Sequence, residues 1–485
     1  MSGGRGARRP VSVVALTAIA LVPALALGGL WQYADANVPP ATTTTTTTLA
    51  PEPTAELATD LLSLRRHPTP LAVAAAAAAE QATLAGLTEA LTTQVGAGAC
   101  LQIVDASGAV VAEVAPDAQV IPASTHKLLV AAVALDVLGP DYRFRTELFA
   151  GGPPVEGVIA GDVYLVGGGD PLLVTADTPD PHRHPAFNTT PLEPLADALV
   201  GLGTIRIDGA LVADGSRYDD EFAPPSWGPD IDNLNGGPVD AILIDDGQID
   251  PGNYGLDPNF SAARVFADLL TARGVTVVQQ TDARPRPPDV APVSLGFIES
   301  RPLTDVLVEL LHTSDNKTAE MILKELGFVA GGAGTRAAGI AVVSATLAEW
   351  GVPMTGVTLA DGSGLSRENR ATCAALTALL TVPPVADQLI DLLPVAGRDG
   401  TLADQLLGTP AEGVLHAKSG SLTGVKGLVG VQPDAERDDV VFALVLNGEG
   451  VADPSVYGPL WDQLTELIAA LPVVVEPDES PFVPR

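Results

Sequence analysis

A serine three residues ahead of a lysine offers the first chemistry in this chain: Ser124-Thr125-His126-Lys127, an S-x-x-K pattern. Residues three apart on a helix share a face, so the hydroxyl and the ammonium can meet. Serine is a weak nucleophile until a base takes its proton. A lysine desolvated in a cleft can lose its own proton near neutral pH and act as that base. At a helix N-terminus the serine's backbone N–H can join an oxyanion hole, and the helix dipole favours the negative charge that develops there. Ser314-Asp315-Asn316 supplies a second hydroxyl, able to relay a proton to a leaving amine. Its amide can hold a substrate carbonyl and the Lys127 ammonium. Lys418-Ser419-Gly420, followed by Ser421-Leu422-Thr423-Gly424, puts a cation, hydroxyls and a glycine permitting close backbone approach on a predicted strand. A peptide ending in a carboxylate suits that set. The strand edge pairs with its backbone, and the Ser421 N–H completes the oxyanion hole. One S-x-x-K alone carries little; three patterns in order, each in its own local context, carry much more.

The elements that must position these groups can be read from periodicity. An Ala-rich helix is expected over Leu71 to Thr93, with Leu84, Leu87 and Leu91 on one face. Cys100 to Val104 and Val110 to Val114 flank the turn signal Ala106-Ser107-Gly108 and predict a hairpin. A helix from about Ser124 to Leu138 stops at Gly139-Pro140. From about Ala150 to Val290 Gly, Pro and Asp rise, and short β-like runs recur at Val163 to Val166, Ile205 to Ile207 and Ala241 to Ile244, interrupted by a helix over Ser261 to Arg273. Helices are expected again at Pro302 to Leu311, Lys317 to Leu326 and Thr335 to Trp350. Strands follow around Gly413 to Lys418, Gly427 to Gln432 and Asp439 to Leu446, then a helix over Val456 to Leu471. The fold class is α+β, an antiparallel sheet flanked by helices and interrupted by a mostly β inserted domain. The expected division is 70–150 and 297–470 for the two parts of the catalytic domain, 151–296 for the insertion, and 471–485 for a C-terminal tail.

With 485 residues and 46% hydrophobic content the chain can build two or three domains. Against 59 Asp and Glu stand 26 Lys and Arg, a net charge of −33 that keeps the surface solvated and repels nucleic acid and anionic lipid. Only five of the cations are lysines: Lys127, Lys317, Lys324, Lys418 and Lys426. A lysine inside a motif is therefore not a default cation here. Arg5, Arg8 and Arg9 precede an apolar run from Val11 to Leu30, with Ala34-Asp35-Ala36 as a cleavage signal. Residues 1–36 read as an export signal, or as an uncleaved membrane anchor, since the run is long enough to span. Both place the rest outside the cytoplasm. Residues 37–69, with a run of threonines from Thr42 to Thr48 and Pro39, Pro40, Pro51 and Pro53, read as a linker. Cys100 and Cys373 are too few for a disulfide framework; they can pair, or remain two buried thiols.

The ordered trio of motifs is the one found in serine β-lactamases and penicillin-binding proteins. Longer stretches narrow this further: Pro122 to Leu129, Gly167-Gly168-Gly169-Asp170-Pro171, Asp361-Gly362-Ser363-Gly364-Leu365-Ser366, Leu393 to Gly397, Asp399-Gly400-Thr401-Leu402, and Ala417 to Gly424. Over roughly residues 80 to 470 the chain resembles the D-alanyl-D-alanine carboxypeptidase/endopeptidase family, the class C low-molecular-mass penicillin-binding proteins. The resemblance implies a penicillin-binding, serine β-lactamase-like transpeptidase domain. It implies Ser124 as the acylated nucleophile, Lys127 as base, Ser314 and Asn316 as proton relay and positioner, and Lys418 as the cation for the substrate carboxylate. Ser419, Gly420, Ser421 and Thr423 would line the substrate. Arg367 and Asp230 would hold the carboxylate and ammonium of a diaminopimelate side chain. The implied partners are peptidoglycan stem peptides, cut at D-Ala-D-Ala or at a crosslink, with β-lactams as covalent inhibitors and neither cofactor nor metal. Two departures stand out. Ser419 replaces the family's usual Thr, and Ser124 to Ser314 spans only 314 − 124 = 190 positions. Against the family's pattern, material of a smaller extra domain is missing between Asp245-Asp246-Gly247 and Asp257-Pro258.

Other patterns carry no chemistry. Gly167-Gly168-Gly169 is followed by Asp170, which would repel a phosphate. His182-Arg183-His184 has no partner ligands nearby in sequence. His126 would face away from Ser124 and Lys127, and Ser363 lacks a nucleophile elbow. Two other functions share the motifs. A β-lactamase would need fast deacylation and would lack the long insertion. A non-catalytic wall-binding scaffold would have no reason to retain every reactive group.

Overall fold

Strands apolar on both faces near the end of the chain decide the layering of the molecule. The computed structural model describes residues 68–471, apart from 106–107, 177–185, 229–230, 232, 251 and 434–438. The 1–36 segment, all but two residues of the 37–69 linker, the tail from 472, and His182, Arg183, His184 and Asp230 lie outside the described residues. In chain order, α1 (Pro68–Gln94) leads into β1 (Ala99–Val104), β2 (Val110–Val114) and α2 (Lys127–Val137). Then come β3 (Arg145–Ala150), β4 (Val163–Val166), α3 (Glu193–Gly201), β5 (Leu211–Asp214), α4 (Pro258–Ala272), β6 (Asp282–Ala283) and β7 (Val293–Glu299), with shorter strands between them. Five helices follow: α5 (Leu303–Thr313), α6 (Asn316–Val329), α7 (Arg336–Glu349), α8 (Cys373–Leu379) and α9 (Ala386–Asp391). Finally β8 (His416–Leu422), β9 (Val425–Gln432), β10 (Val440–Asn447) and α10 (Pro454–Ala469) complete the described chain.

The central sheet runs β8-β9-β10-β1-β2, antiparallel throughout. Successive side chains of a strand face opposite sides. On β10, Val441, Ala443 and Val445 join the core built with α2 and α5 to α9, while Phe442, Leu444 and Leu446 join the core built with α1 and α10. Leu91 of α1 is buried in that second core, with Leu84 and Leu87 packed against it. α2 is buried on all sides from Lys127 to Leu135. A helix apolar all round belongs in the middle of a fold, and its single lysine enters with it.

The inserted domain leaves and re-enters as neighbouring strands. β3 and β7 pair antiparallel from Arg145↔Glu299 to Ala150↔Val293. They extend into a five-stranded mixed sheet, β6-β5-β4-β3-β7, in which β6, β5 and β4 run parallel. Its core draws on residues from Leu148 to Leu295, with α3 and α4 packed on the sheet. Ion pairs fasten it to the helices below. Lys317 meets Asp246 at 2.8 Å, Lys324 meets Asp219 at 2.7 Å, Arg217 meets Glu325 at 2.5 Å, and Arg336 meets Glu221 at 2.8 Å.

Several local expectations change. Ala241 to Ile244 is not a strand; only Ile244 makes an isolated bridge, to Leu173. That segment is buried as an extended loop, with the Ala241 carbonyl accepting from Gly169 N–H. The strand expected from Gly413 starts only at His416, because Gly413 sits at φ 75° in a turn. α3, α8 and α9 were not anticipated; all are nine residues or fewer, too short for periodicity to mark. Cys100 of β1 and Cys373 at the start of α8, both fully buried, form a disulfide with Cα atoms 5.7 Å apart.

That crosslink closes a loop of 273 residues, so it restricts the unfolded chain strongly. Replacing both cysteines by alanine is expected to cost about 2–5 kcal/mol of stability while leaving the fold intact. Chemical denaturation of the double variant checks this; an unchanged midpoint would contradict it.

Candidate active site

The site begins at a strained turn. Ala123 has φ 49°, in the left-handed region that non-glycine residues seldom occupy. It starts a single tight helical turn, Ala123–His126, that runs directly into α2. Two neighbouring chains hold the turn in place. A Cβ on Gly364 would lie 2.1 Å from the Ala123 carbonyl oxygen, and one on Gly420 would lie 2.8 Å from that of Pro122. Only glycines let the 361–366 loop and β8 approach this closely. Thr125 adds a hydrogen bond from Oγ1 to the Pro122 carbonyl at 2.7 Å. Ser124 is left half-buried at the surface of the cleft.

Lys127, one turn along, is fully buried. Its Nζ donates to Ser124 Oγ at 3.0 Å, to Asn316 Oδ1 at 2.7 Å and to the Ser363 carbonyl at 2.7 Å. Three acceptors match the three N–H bonds of an ammonium. Burial lowers its pKa to about 8, against the pull of Asp315, Asp361 and Glu320, which favour the charged form. The amine can therefore be neutral at mildly alkaline pH. With one proton gone, two N–H groups still satisfy the carbonyls of Asn316 and Ser363. The lone pair then faces Ser124 Oγ.

Each partner is itself held. Asn316 opens α6, capped by the Asp315 carboxylate, which accepts from Thr318 N–H at 2.6 Å. Its Nδ2 donates to the Asn235 carbonyl of the inserted domain at 2.6 Å, which fixes which amide atom faces Lys127. Asp361, fully buried, shapes the 361–366 loop. It accepts from Gly364 N–H, Ser366 N–H and Asn369 Nδ2, and from Trp227 Nε1 of the inserted domain at 2.9 Å. Glu320 Oε1 accepts from the N–H groups of Gly362 and Ser363 at 2.9 and 2.8 Å. Sequence reading missed Glu320, and it missed that Ser363 would matter through its carbonyl. The signal was available: Glu320 lies four residues after Asn316, on the same helical face. His126 points away from the cleft, its Nε2 3.0 Å from the Asp361 carbonyl, and burial lowers its pKa.

Lys418 lies on β8, the edge strand, so one side of its backbone faces the cleft unpaired. It is fully buried, and burial together with Lys127 and Lys426 pushes its pKa well down. Its Nζ donates to the Ser419 carbonyl at 3.1 Å, and among the described residues no carboxylate lies within ion-pair distance. Ser419 Oγ donates to Thr401 Oγ1 at 2.9 Å. Ser421 near the end of the strand and Thr423 in the turn after it are exposed. Arg367 Nη2 donates to the Thr423 carbonyl at 2.6 Å, so these two expected residues meet through backbone rather than hydroxyl. Ser314 ends α5 at φ 64°, and among the described residues its hydroxyl makes no hydrogen bond to Ser124 or Lys127. Asp230 lies outside the described residues. Among those described, no group of three or more His, Cys, Asp or Glu could hold a metal ion.

A serine hydroxyl beside a buried amine, an edge strand and, among the described residues, a buried lysine with no carboxylate partner together suit acyl transfer from a peptide that ends in a carboxylate. Family comparison agrees. The model of the D-Ala-D-Ala carboxypeptidase 3 (S13) family matches residues 82–254 and 255–468. The chain belongs to this family. It is 33% identical over 354 residues to a carboxypeptidase of Mycobacterium tuberculosis, covering 69% of this chain and 72% of the relative. To a D-alanyl-D-alanine carboxypeptidase of an Actinomadura species it is 30% identical over 417 residues, covering 69% and 75%. Penicillin-binding protein 4 of Haemophilus influenzae shares the fold, with a TM-score of 0.68 at 21% identity over 79% of this chain and 99% of that one. The expected penicillin-binding fold with an inserted domain is therefore the fold of this S13 peptidase.

The steric clamp on the Ser124 turn is testable. Gly364 has φ 86° and no room for a methyl group. Gly364→Ala should lower the rate of covalent labelling by a fluorescent penicillin at least tenfold, since ångström-scale displacement of reacting groups costs about this much or more. A rate equal to the parent's would show that the turn tolerates the displacement.

Proposed function

We propose that this S13 enzyme removes the terminal D-alanine from peptidoglycan stem peptides through an acyl-enzyme on Ser124. The observation that carries this reading is the buried Lys127 amine, aimed at Ser124 Oγ by two carbonyls. Neutral Lys127 takes the Ser124 proton as Oγ bonds to the carbonyl carbon of the penultimate D-alanine. The backbone N–H groups of Ser124 and Ser421 receive the oxyanion. The C–N bond then breaks, and the proton passes from Lys127 to the leaving amine by way of the Ser314 hydroxyl. Water, activated by the same amine, hydrolyses the ester and returns the proton. Asn316 positions Lys127 and the substrate amide. Lys418, buried without a carboxylate partner, attracts the substrate's terminal carboxylate; Ser419 and Gly420 flank that contact.

The same attack opens a β-lactam ring, and the ring amine cannot diffuse away, so β-lactams act as covalent inhibitors. A β-lactamase needs rapid deacylation, usually by a water that a glutamate holds. Glu320 is the candidate by position, yet its Oε1 is taken by Gly362 and Ser363 N–H and its Oε2 by Arg336. A crosslink ending at a D-centre presents the same bond, so endopeptidase action is a second activity of the same site. Arg367, Thr423 and Asp230 form the pocket for a zwitterionic side chain, with Arg367 swinging from the Thr423 carbonyl to the side-chain carboxylate. Residues 1–36 export the chain or anchor it in the membrane, the 37–69 linker spans the gap to the wall, and the folded body acts outside the cytoplasm. Among the described residues no helix is long and apolar enough to cross a membrane. Residues 151–296 are the bulk of the insertion, whose sheet also takes in β3 from Arg145 and β7 to Glu299, and the rest of 70–150 with 297–470 is the catalytic domain.

Mass spectrometry of muropeptides before and after incubation tests the activity; loss of one alanine from pentapeptides is expected. Ser124→Ala should abolish β-lactam labelling without unfolding the protein, and labelling elsewhere would refute the assignment. Acylation by penicillin should rise tenfold per pH unit and level off near pH 8, where Lys127 becomes neutral. A flat profile between pH 6 and 9 would remove Lys127 from the role of base. Peptides with a zwitterionic side chain should be preferred over neutral ones by on the order of a few kcal/mol. Arg367→Ala and Asp230→Ala should each erase much of that preference; if both keep it, the pocket lies elsewhere.

A further inference from the structure

Lys127 can act on Ser124 only if its nitrogen points the right way, and one of the two carbonyls that aim it belongs to a loop. We propose that Glu320 is a positioning residue for the Lys127 amine: by holding the Gly362 and Ser363 N–H groups, it fixes the peptide whose carbonyl orients Lys127 toward Ser124. This rests on the reading of Ser124 as the acylated residue.

The geometry forms a continuous chain. Glu320 is fully buried on α6, one turn beyond Asn316. Its Oε2 meets Arg336 Nε of α7 at 2.8 Å. Arg336, itself 4% exposed, donates its other N–H groups to Glu221 Oε1 at 2.8 Å and to the carbonyls of Glu221 and Phe222 at 2.6 and 3.2 Å. Oε1 is left to the two loop N–H groups, and the Ser363 carbonyl beyond them accepts from Lys127 Nζ at 2.7 Å. The loop lies directly on α6, since a Cβ on Gly362 would sit 2.7 Å from the Ala319 carbonyl oxygen. One face of α6 thus supplies both guides for the amine, Asn316 by contact and Glu320 through the Ser363 peptide. A buried carboxylate without its ion pair would cost several kcal/mol, so Arg336 keeps Glu320 ionised and in place. Without the carboxylate the loop N–H groups would be orphaned and the carbonyl free to turn.

The groups that face Lys127 and bear on its charge are Asp315 and Glu320 of α6, Asp361 of the loop, Lys418 of β8 and the neighbouring His126. Removing one of the anions favours neutral Lys127 and moves the acidic limb of the rate profile to lower pH. A purely packing role would do neither this nor slow the reaction per active site.

The test uses the full chain and a fluorescent penicillin, measuring the acylation rate per labelled site from pH 6 to 10. Glu320→Ala should slow the plateau rate roughly a hundredfold and shift the midpoint down. Glu320→Gln, which keeps an acceptor for the loop but not the charge, should shift the midpoint down and lose about tenfold or less. If Glu320→Ala does not fold, the Gln variant decides. Rates per labelled site within about threefold of the parent, with an unmoved midpoint, would overturn the proposal. If the parent itself is not acylated at Ser124, the reading of the site falls, and this inference with it.

Discussion

A buried ammonium governs this structure. Lys127 is sealed at the end of a helix that is apolar on every side, where an unsatisfied charge would cost several kcal/mol. Three acceptors offset that cost, and three different parts of the chain must deliver them: the S-x-x-K turn itself, the start of α6, and the 361–366 loop. The same burial depresses the pKa to about 8. Stability and reactivity thus have one source. The environment that makes the ammonium expensive makes the neutral amine accessible, and the acceptors that stabilise the former aim the latter.

Several layers of the fold serve that arrangement. The Ser124 turn is strained at Ala123 and pressed by Gly364 and Gly420, so Ser124 is set by neighbours rather than by local preference. The inserted domain reaches the site at Asn235, which orients the Asn316 amide, and at Trp227, which holds Asp361. Buried ion pairs on α6 and α7 keep it there. The scarce lysines are spent in the interior: Lys127, Lys317, Lys324 and Lys418 are all buried. Lys317 and Lys324 have carboxylate partners from the insertion, whereas Lys127 has neutral acceptors and Lys418 a carbonyl. That contrast separates the cations that fasten domains from those proposed to serve the reaction.

Much of the fold could be read from the sequence. Short continuous apolar runs marked β9 and β10 to within about two residues, and periodicity marked α1, α6, α7 and α10. A short buried apolar run does not by itself distinguish a strand from an extended loop, as at Ala241 to Ile244, which proved to be a loop. Helices of two turns or fewer, such as α8 and α9, bury too few residues to leave a period. Strands β3 and β7 carry alternating inward residues, but nothing local says that Ala150 pairs with Val293 and Arg145 with Glu299.

The sequence by itself determined which groups to propose as reactive. Residue type and spacing name Ser124, Lys127, Ser314, Asn316 and Lys418, because a hydroxyl three residues from an amine on a helix is already a local geometry. Tertiary structure alone decided what holds them. That Cys100 meets Cys373, that Ser363 contributes a carbonyl rather than a hydroxyl, and that Glu320 reaches the loop are contacts between segments far apart in the chain. Backbone carbonyls and N–H groups are present at every residue and so leave no mark in a sequence. Only packing chooses which of them faces a buried charge.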